Sequence, residues 1–287
     1  MRRAAVTIAL VVVTCGAACR REPTRELANA TTEVNALSPD YIARVTLPPG
    51  VRPRVPTTLT ITIKETSGAT PRLELADDAL LHVVAVSRDL NWHEHAHPQE
   101  VSDGRFEAPL TFPEDGQYVF FLEFQPAGSN SETSRVEWTL GSRRMARRSL
   151  RLTPADRSLG AYTIQLASSG ALHADSWSAL TFHVARSGTP VRNLDARAAL
   201  GGLLIVDEDA NDLVSSHSTI EEVQGGVRAG THATLHPFVP DDIHLRQPLG
   251  PDLTFHAKFP RPGRYKVWTE FVAGKDKLMT DFVVIVK

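Results

Sequence analysis

The chain has 287 residues, 42% hydrophobic and 22% charged, with a formal net charge of −2. That length is enough for two hydrophobic cores, and the near-neutral balance gives no global field that would call for nucleic acid. Cys15 and Cys19 are the only two cysteines, so the folded part has no thiol nucleophile, thiolate metal site or disulfide staple.

In chain order, Met1-Arg2-Arg3 is a short positive region, and Ala4 to Val13 is an apolar run broken only by Thr7. The run is too short to span a bilayer and fits the hydrophobic centre of a secretory signal. Gly16-Ala17-Ala18-Cys19 follows, small residues leading into cysteine, and resembles a bacterial lipobox. The expectation is a lipoprotein signal over residues 1–19, with Cys19 as the lipidated residue and Cys15 as the competing site. The anchor would hold the protein to a lipid bilayer in the bacterial envelope, facing the periplasm. Arg20, rather than Asp, follows Cys19, which points to the outer membrane. Residues 20–40 lack apolar periodicity and read as a flexible tether.

The remainder predicts an all-β protein. Alternating segments include Leu59 to Ile63, Tyr118 to Phe124, Tyr162 to Leu166, Leu180 to Val184 and Phe282 to Val286, separated by Gly, Pro, Asp, Asn and Ser. Short strands at close spacing indicate antiparallel β-sandwiches. An internal repeat divides them. Tyr41 to Val45 matches Tyr162 to Leu166, and Thr57 to Ile63 matches Ser178 to Val184. His82 to Asp89 matches Gly202 to Asp209, and Phe112 to Tyr118 matches Phe259 to Tyr265. The order is kept throughout, which predicts two immunoglobulin-like sandwiches over 41–141 and 159–287, with a linker at 142–158. The second copy carries an insertion near 222–252 that holds His232, His236 and His244.

The chemistry concentrates in Trp92-His93-Glu94-His95-Ala96-His97-Pro98. In a strand, residues i, i+2 and i+4 share a face, so His93, His95 and His97 would project together. His82 begins a strand, and Ser87 to Asn91 reads as a turn. A hairpin would therefore bring His82 to the cluster. Neutral imidazoles suit Cu(II) or Zn(II), with water or a carboxylate completing the shell. Glu94 would point away, leaving Glu100 and Asp89 as oxygen candidates. The other reading of these residues is a solvated polar strand whose histidines bond backbone groups.

His82 to Leu90, His95-Ala-His97-Pro98, Gly104-Arg105-Phe106 and the Phe-Pro-x-x-Gly-x-Tyr element resemble the YtkA-like bacterial extracytoplasmic domains, which are similar in architecture to CopC-type copper-resistance domains. Phe255 to Trp268 carries the resemblance in the second copy. It implies an immunoglobulin-like fold, a link to metal homeostasis, and His82, His95 and His97 as the recurrent ligand positions. His93 falls where an aromatic is usual. In the second copy Gly202 and Ser215 replace His82 and His95, and only His217 survives, so one site is expected, in the first domain. The three methionines are scattered, which argues against a soft Cu(I) pocket.

Other motifs have plainer readings. Asp207-Glu208-Asp209 with Asn211 and Asp212 lacks EF-hand spacing and reads as a solvated turn. Arg143 to Arg148 reads as an exposed linker, and Trp92, Trp138, Trp177 and Trp268 as core or domain-edge residues. There is no nucleophile elbow, phosphate loop or zincin helix, so no enzymatic activity is expected. Two function classes follow. One is a periplasm-facing lipoprotein that binds copper or zinc. The other is a scaffolding lipoprotein whose sandwiches bind another envelope protein.

Overall fold

The computed structural model describes residues 32–37, 40–76, 79–143, 149–194, 203–214, 216–218 and 250–287. Cys19, the histidines of the 222–252 insertion, Gly202, Ser215 and Arg144 to Arg148 lie outside them. Among the described residues there are strands and turns and no helix.

The first unit holds β1 (Thr32–Leu37), β2 (Tyr41–Leu47), β3 (Thr57–Glu65), β4 (Leu73–Glu74), β5 (Leu81–Ser87), β6 (His93–Ala96), β7 (Gln99–Ser102), β8 (Arg105–Leu110), β9 (Gly116–Pro126) and β10 (Glu132–Leu140). They form two antiparallel sheets, ordered β1-β2-β3-β8-β7 and β10-β9-β5-β6. The second unit holds β11 (Asp156–Leu159), β12 (Tyr162–Ser168), β13 (Trp177–Arg186), β14 (Thr189–Pro190), β15 (Leu203–Asp207), β16 (Leu213–Val214), β17 (Ser216–Ser218), β18 (Asp252–Lys258), β19 (Gly263–Ala273) and β20 (Asp276–Val286). Its sheets run β11-β12-β13-β18-β17 and β16-β15-β19-β20. The two orders correspond strand for strand, so the fold is a tandem of immunoglobulin-like sandwiches.

Alternation explains the cores. In β3, Leu59, Ile61 and Ile63 turn inward while the threonines between them turn out, and in β13 Leu180, Phe182 and Val184 do the same. Each core closes on a matched aromatic pair. Phe112 and Tyr118 sit with ring centroids 4.8 Å apart, and Phe259 and Tyr265 at 4.9 Å. Each tyrosine hydroxyl donates to the carbonyl four residues back, Tyr118 to Glu114 at 2.6 Å and Tyr265 to Arg261 at 2.8 Å. These are tyrosine corners of the kind found in immunoglobulin-like sandwiches.

Two sequence expectations are corrected. Residues 32–37 are not tether: β1 pairs with β2 along its whole length, and Val34 packs against the first core. Thr32, Val34 and Ala36 do alternate with Glu33 and Asn35, but six residues are too short a run to stand out from the polar segment before them. The 142–158 segment is more than a linker, because β11 begins at Asp156. Before it, Leu150 packs into an apolar cluster, and the Leu150 N–H donates to Glu208 at 2.7 Å.

That cluster joins the two units. Val84, Val86, Leu90, Val119 and Phe121 of the first pack with Leu204, Val206, Ala210 and Trp268 of the second. Sheet β10-β9-β5-β6 thus buries its outer face against sheet β16-β15-β19-β20. This explains why β5 and β15 are buried at every residue instead of alternately. Arg135 Nε donates across the junction to the Ala210 carbonyl at 2.6 Å, and Arg88 donates to the Asp209 carbonyl.

Candidate metal centre

Among the described residues β6 is an edge strand whose ladder partner is β5, in the register Val83–Ala96, Val84–His95, Ala85–Glu94 and Val86–His93. The turn between them is closed by Ser87, whose Oγ accepts from the N–H groups of Asn91 and Trp92 at 3.1 and 3.0 Å. Leu90 supplies the left-handed residue, with φ of 55°. Along β6, Trp92 and Ala96 pack on the first core, so the odd-numbered histidines turn to the opposite face. That is the face from which His82, Val84 and Val86 project.

His82, His95 and His97 come together at the open end of the hairpin. Each offers one ring nitrogen, and the three nitrogens lie within 4.8 Å of one another. His82 Nδ1 and His95 Nε2 are 3.3 Å apart. Two ligands about 2.05 Å from a tetrahedral ion are roughly 3.3 Å apart, so this pair already has ligand spacing. The rings of His82 and His97 have centroids at 4.7 Å, and those of His95 and His97 at 4.8 Å. His97 is exposed, at the solvent side of the cluster.

His82 is 4% exposed, and its other nitrogen, Nε2, lies 2.8 Å from the Ala76 carbonyl. A carbonyl only accepts, so Nε2 carries the proton and neutral His82 presents its lone pair at Nδ1, toward His95. One imidazole N–H held by a backbone carbonyl is the usual way a protein orients a metal-binding histidine.

The fourth histidine of the motif is placed differently. His93 lies opposite Val86, where the second unit covers the sheet, and its ring packs on Trp268 with centroids 4.8 Å apart. Burial lowers its pKa from 6.5 to about 4, with Glu270 and Asp281 opposing that effect and Lys266 and Lys277 adding to it. His93 is therefore an interface residue and not a member of the cluster. Its partner comes from 175 positions away, which strand alternation does not reveal.

The expected oxygen ligands are also corrected. Asp89 sits in the closed turn, accepting from Ser87 Oγ at 2.8 Å and Asn91 Nδ2 at 2.7 Å, at the far end of the hairpin from His82. Glu100 accepts from the Gly104 N–H at 3.1 Å and serves the β7–β8 turn. Glu94 does point away from the histidines; it accepts from the Thr111 N–H at 3.3 Å, and burial raises its pKa. Among the described residues no carboxylate joins the three imidazoles.

The acidic turn of the second unit is accounted for. Asp207 accepts from the N–H groups of Asn211 and Asp212, the latter at 2.7 Å, and Arg261 bridges Asp207 and Asp212. Trp138 is a core residue and Trp268 an interface residue, whereas Trp177 is 52% exposed.

The model of a domain family of unknown function, DUF8832, matches residues 39–139 and again 157–287. The chain therefore belongs to that family, with two copies of its domain. No curated protein matches the sequence. Among solved structures, a conserved domain protein from Bacillus anthracis is 10% identical, with 93% of this chain and 95% of that chain covered and a TM-score of 0.27. Domains 4 and 5 of the S-layer protein SbsC are 10% identical, with 89% and 98% covered and a TM-score of 0.23. The D00-D0 domain of Intimin is 13% identical, with 81% and 93% covered and a TM-score of 0.20.

Proposed function

We propose that this protein binds one divalent transition-metal ion, copper or zinc, through His82, His95 and His97 of its first domain. The observation that carries the reading is the orientation of His82, whose Nε2–H is held by Ala76 while Nδ1 stands 3.3 Å from His95 Nε2. In the metal-free protein this contact is a hydrogen bond from His95 to His82. For binding, His95 would exchange tautomers through solvent, its proton passing from Nε2 to Nδ1 so that the Nε2 lone pair faces the ion, and His97 would swing inward. The role is binding and delivery rather than catalysis. Three imidazoles leave a coordination position for water or for a donor from a partner, and exposed His97 makes release feasible. Cu(II) should bind more tightly than Zn(II) on the general affinity order.

The setting proposed is the bacterial envelope. The Gly16-Ala17-Ala18-Cys19 segment supports a lipid anchor at Cys19, in a protein facing the periplasm like the YtkA-like and CopC-like domains it resembles. Fractionation of a Cys19→Ala variant tests this part: the protein should leave the membrane or fail to mature, and unchanged membrane association would refute it. Calorimetric titration of the untagged protein with Cu(II) and Zn(II) tests the site. One equivalent should bind to wild type. Stoichiometry well below one would leave the tandem sandwiches as an interaction module for another envelope protein.

A further inference from the structure

We infer that metal binding at the histidine cluster and docking of the two domains are thermodynamically linked, with β6 as the coupling element. The inference rests on the metal reading above and adds a regulator to it, the second domain. The face of β6 that carries the cluster also carries the interface. His95 reaches His82, and two residues earlier His93 packs on Trp268 of the second domain. Opposite them on β5, Val84 pairs with His95 and Val86 with His93, and both valines belong to the interdomain cluster.

Among the described residues β6 has one ladder partner, β5, and its Glu94 accepts from the Thr111 N–H, so its position depends on what its side chains touch. On the outer face those contacts are the histidine cluster at one end and Trp268 at the other. A ligand that ties His95 to His82 restricts β6 to the position in which His93 meets Trp268. Docking of Trp268 likewise holds β6 where His95 meets His82. Each event raises the probability of the other by the same factor, as linkage requires.

Hydrogen exchange on the full mature protein, with and without Zn(II), tests the link. Zn(II) should slow exchange in peptides covering Leu203–Asp207 and Gly263–Ala273, which contain none of the three ligands. Protection confined to residues 81–97 would overturn the inference. Calorimetry on Trp268→Ala gives a second reading: its affinity for Zn(II) should fall about fivefold or more, the lower range of ordinary coupling between sites. Arg135→Ala removes the bond to the Ala210 carbonyl from β10 without touching β6, and should weaken Zn(II) binding in the same direction by less. Wild-type affinity in both folded variants would also overturn the link. If wild type takes up no Zn(II) or Cu(II), it is the metal reading that fails, and the link falls with it.

Discussion

The β5–β6 hairpin of the first domain and the β15–β16 hairpin of the second are the same device with different side chains. Both place a left-handed residue in the turn, Leu90 at φ 55° and Ala210 at 49°. Both close the turn with an acceptor at its first position, the hydroxyl of Ser87 in one and the carboxylate of Asp207 in the other. Val86 pairs with His93, and Val206 with Leu213. Leu213 packs against the interdomain cluster, as His93 packs on Trp268. The hairpin therefore folds without histidines. His82 and His95 are the side chains that differ on this frame, since the second copy has Gly202 and Ser215 at their positions and keeps His217 opposite His97.

The largest expected difference lies in metal affinity. His95→Ala should weaken Cu(II) binding by about 100-fold or more in calorimetry, because it leaves two imidazoles where three converged. Next comes the turn. Asp207→Ala strands two backbone N–H groups and should cost about 1–3 kcal/mol in a denaturant melt, and Ser87→Ala about 1 kcal/mol. Costs in the reverse order would break the equivalence of the two turns.

A pH effect follows for the metal-free protein. His93 in the folded state stays neutral down to about pH 4, whereas an unfolded chain gains that proton near 6.5. Between those values the unfolded state binds more protons, so stability falls as pH falls from 6.5 toward 4, and this contribution is flat above. His93→Leu, which installs the residue of the second copy, should remove part of that loss when melting temperatures are compared at pH 7.5 and 4.5 in chelator. An unchanged pH slope would count against burial of His93 at the interface. The smallest effect is expected from His217→Ala, which should leave metal stoichiometry at one.

Much of the fold was legible because both copies obey period two and keep the same landmarks in order. Leu59-Thr-Ile-Thr-Ile63 and Phe112 to Tyr118 are readable wherever they occur. The histidine face was legible for the same reason, since alternation alone puts His95 and His97 on one side. What alternation cannot supply is the neighbour beyond the strand. The continuous apolar run Val83-Val-Ala-Val86 marks a strand covered on both faces, and with Leu203 to Val206 it is the sequence sign of domain docking. Strand alternation by itself groups His93 with the ligands and gives no neighbour for Trp268. Asp89 and Glu100 looked close to the cluster in sequence, yet each is held by the turn that contains it. The carbonyl of Ala76 leaves no trace in sequence, because any residue has one.

The interdomain cluster draws on equivalent positions of the two copies: Val84 and Leu204, Val86 and Val206, Leu90 and Ala210, Phe121 and Trp268. This is the composition of an isologous contact between two identical subunits, here drawn within one chain. The connecting segment replaces association by an intramolecular step, at an effective concentration on the order of millimolar for a short tether. The two halves of that contact are not identical in chemistry: His82 and His95 of the first copy stand where the second has Gly202 and Ser215, and His217 is retained opposite His97.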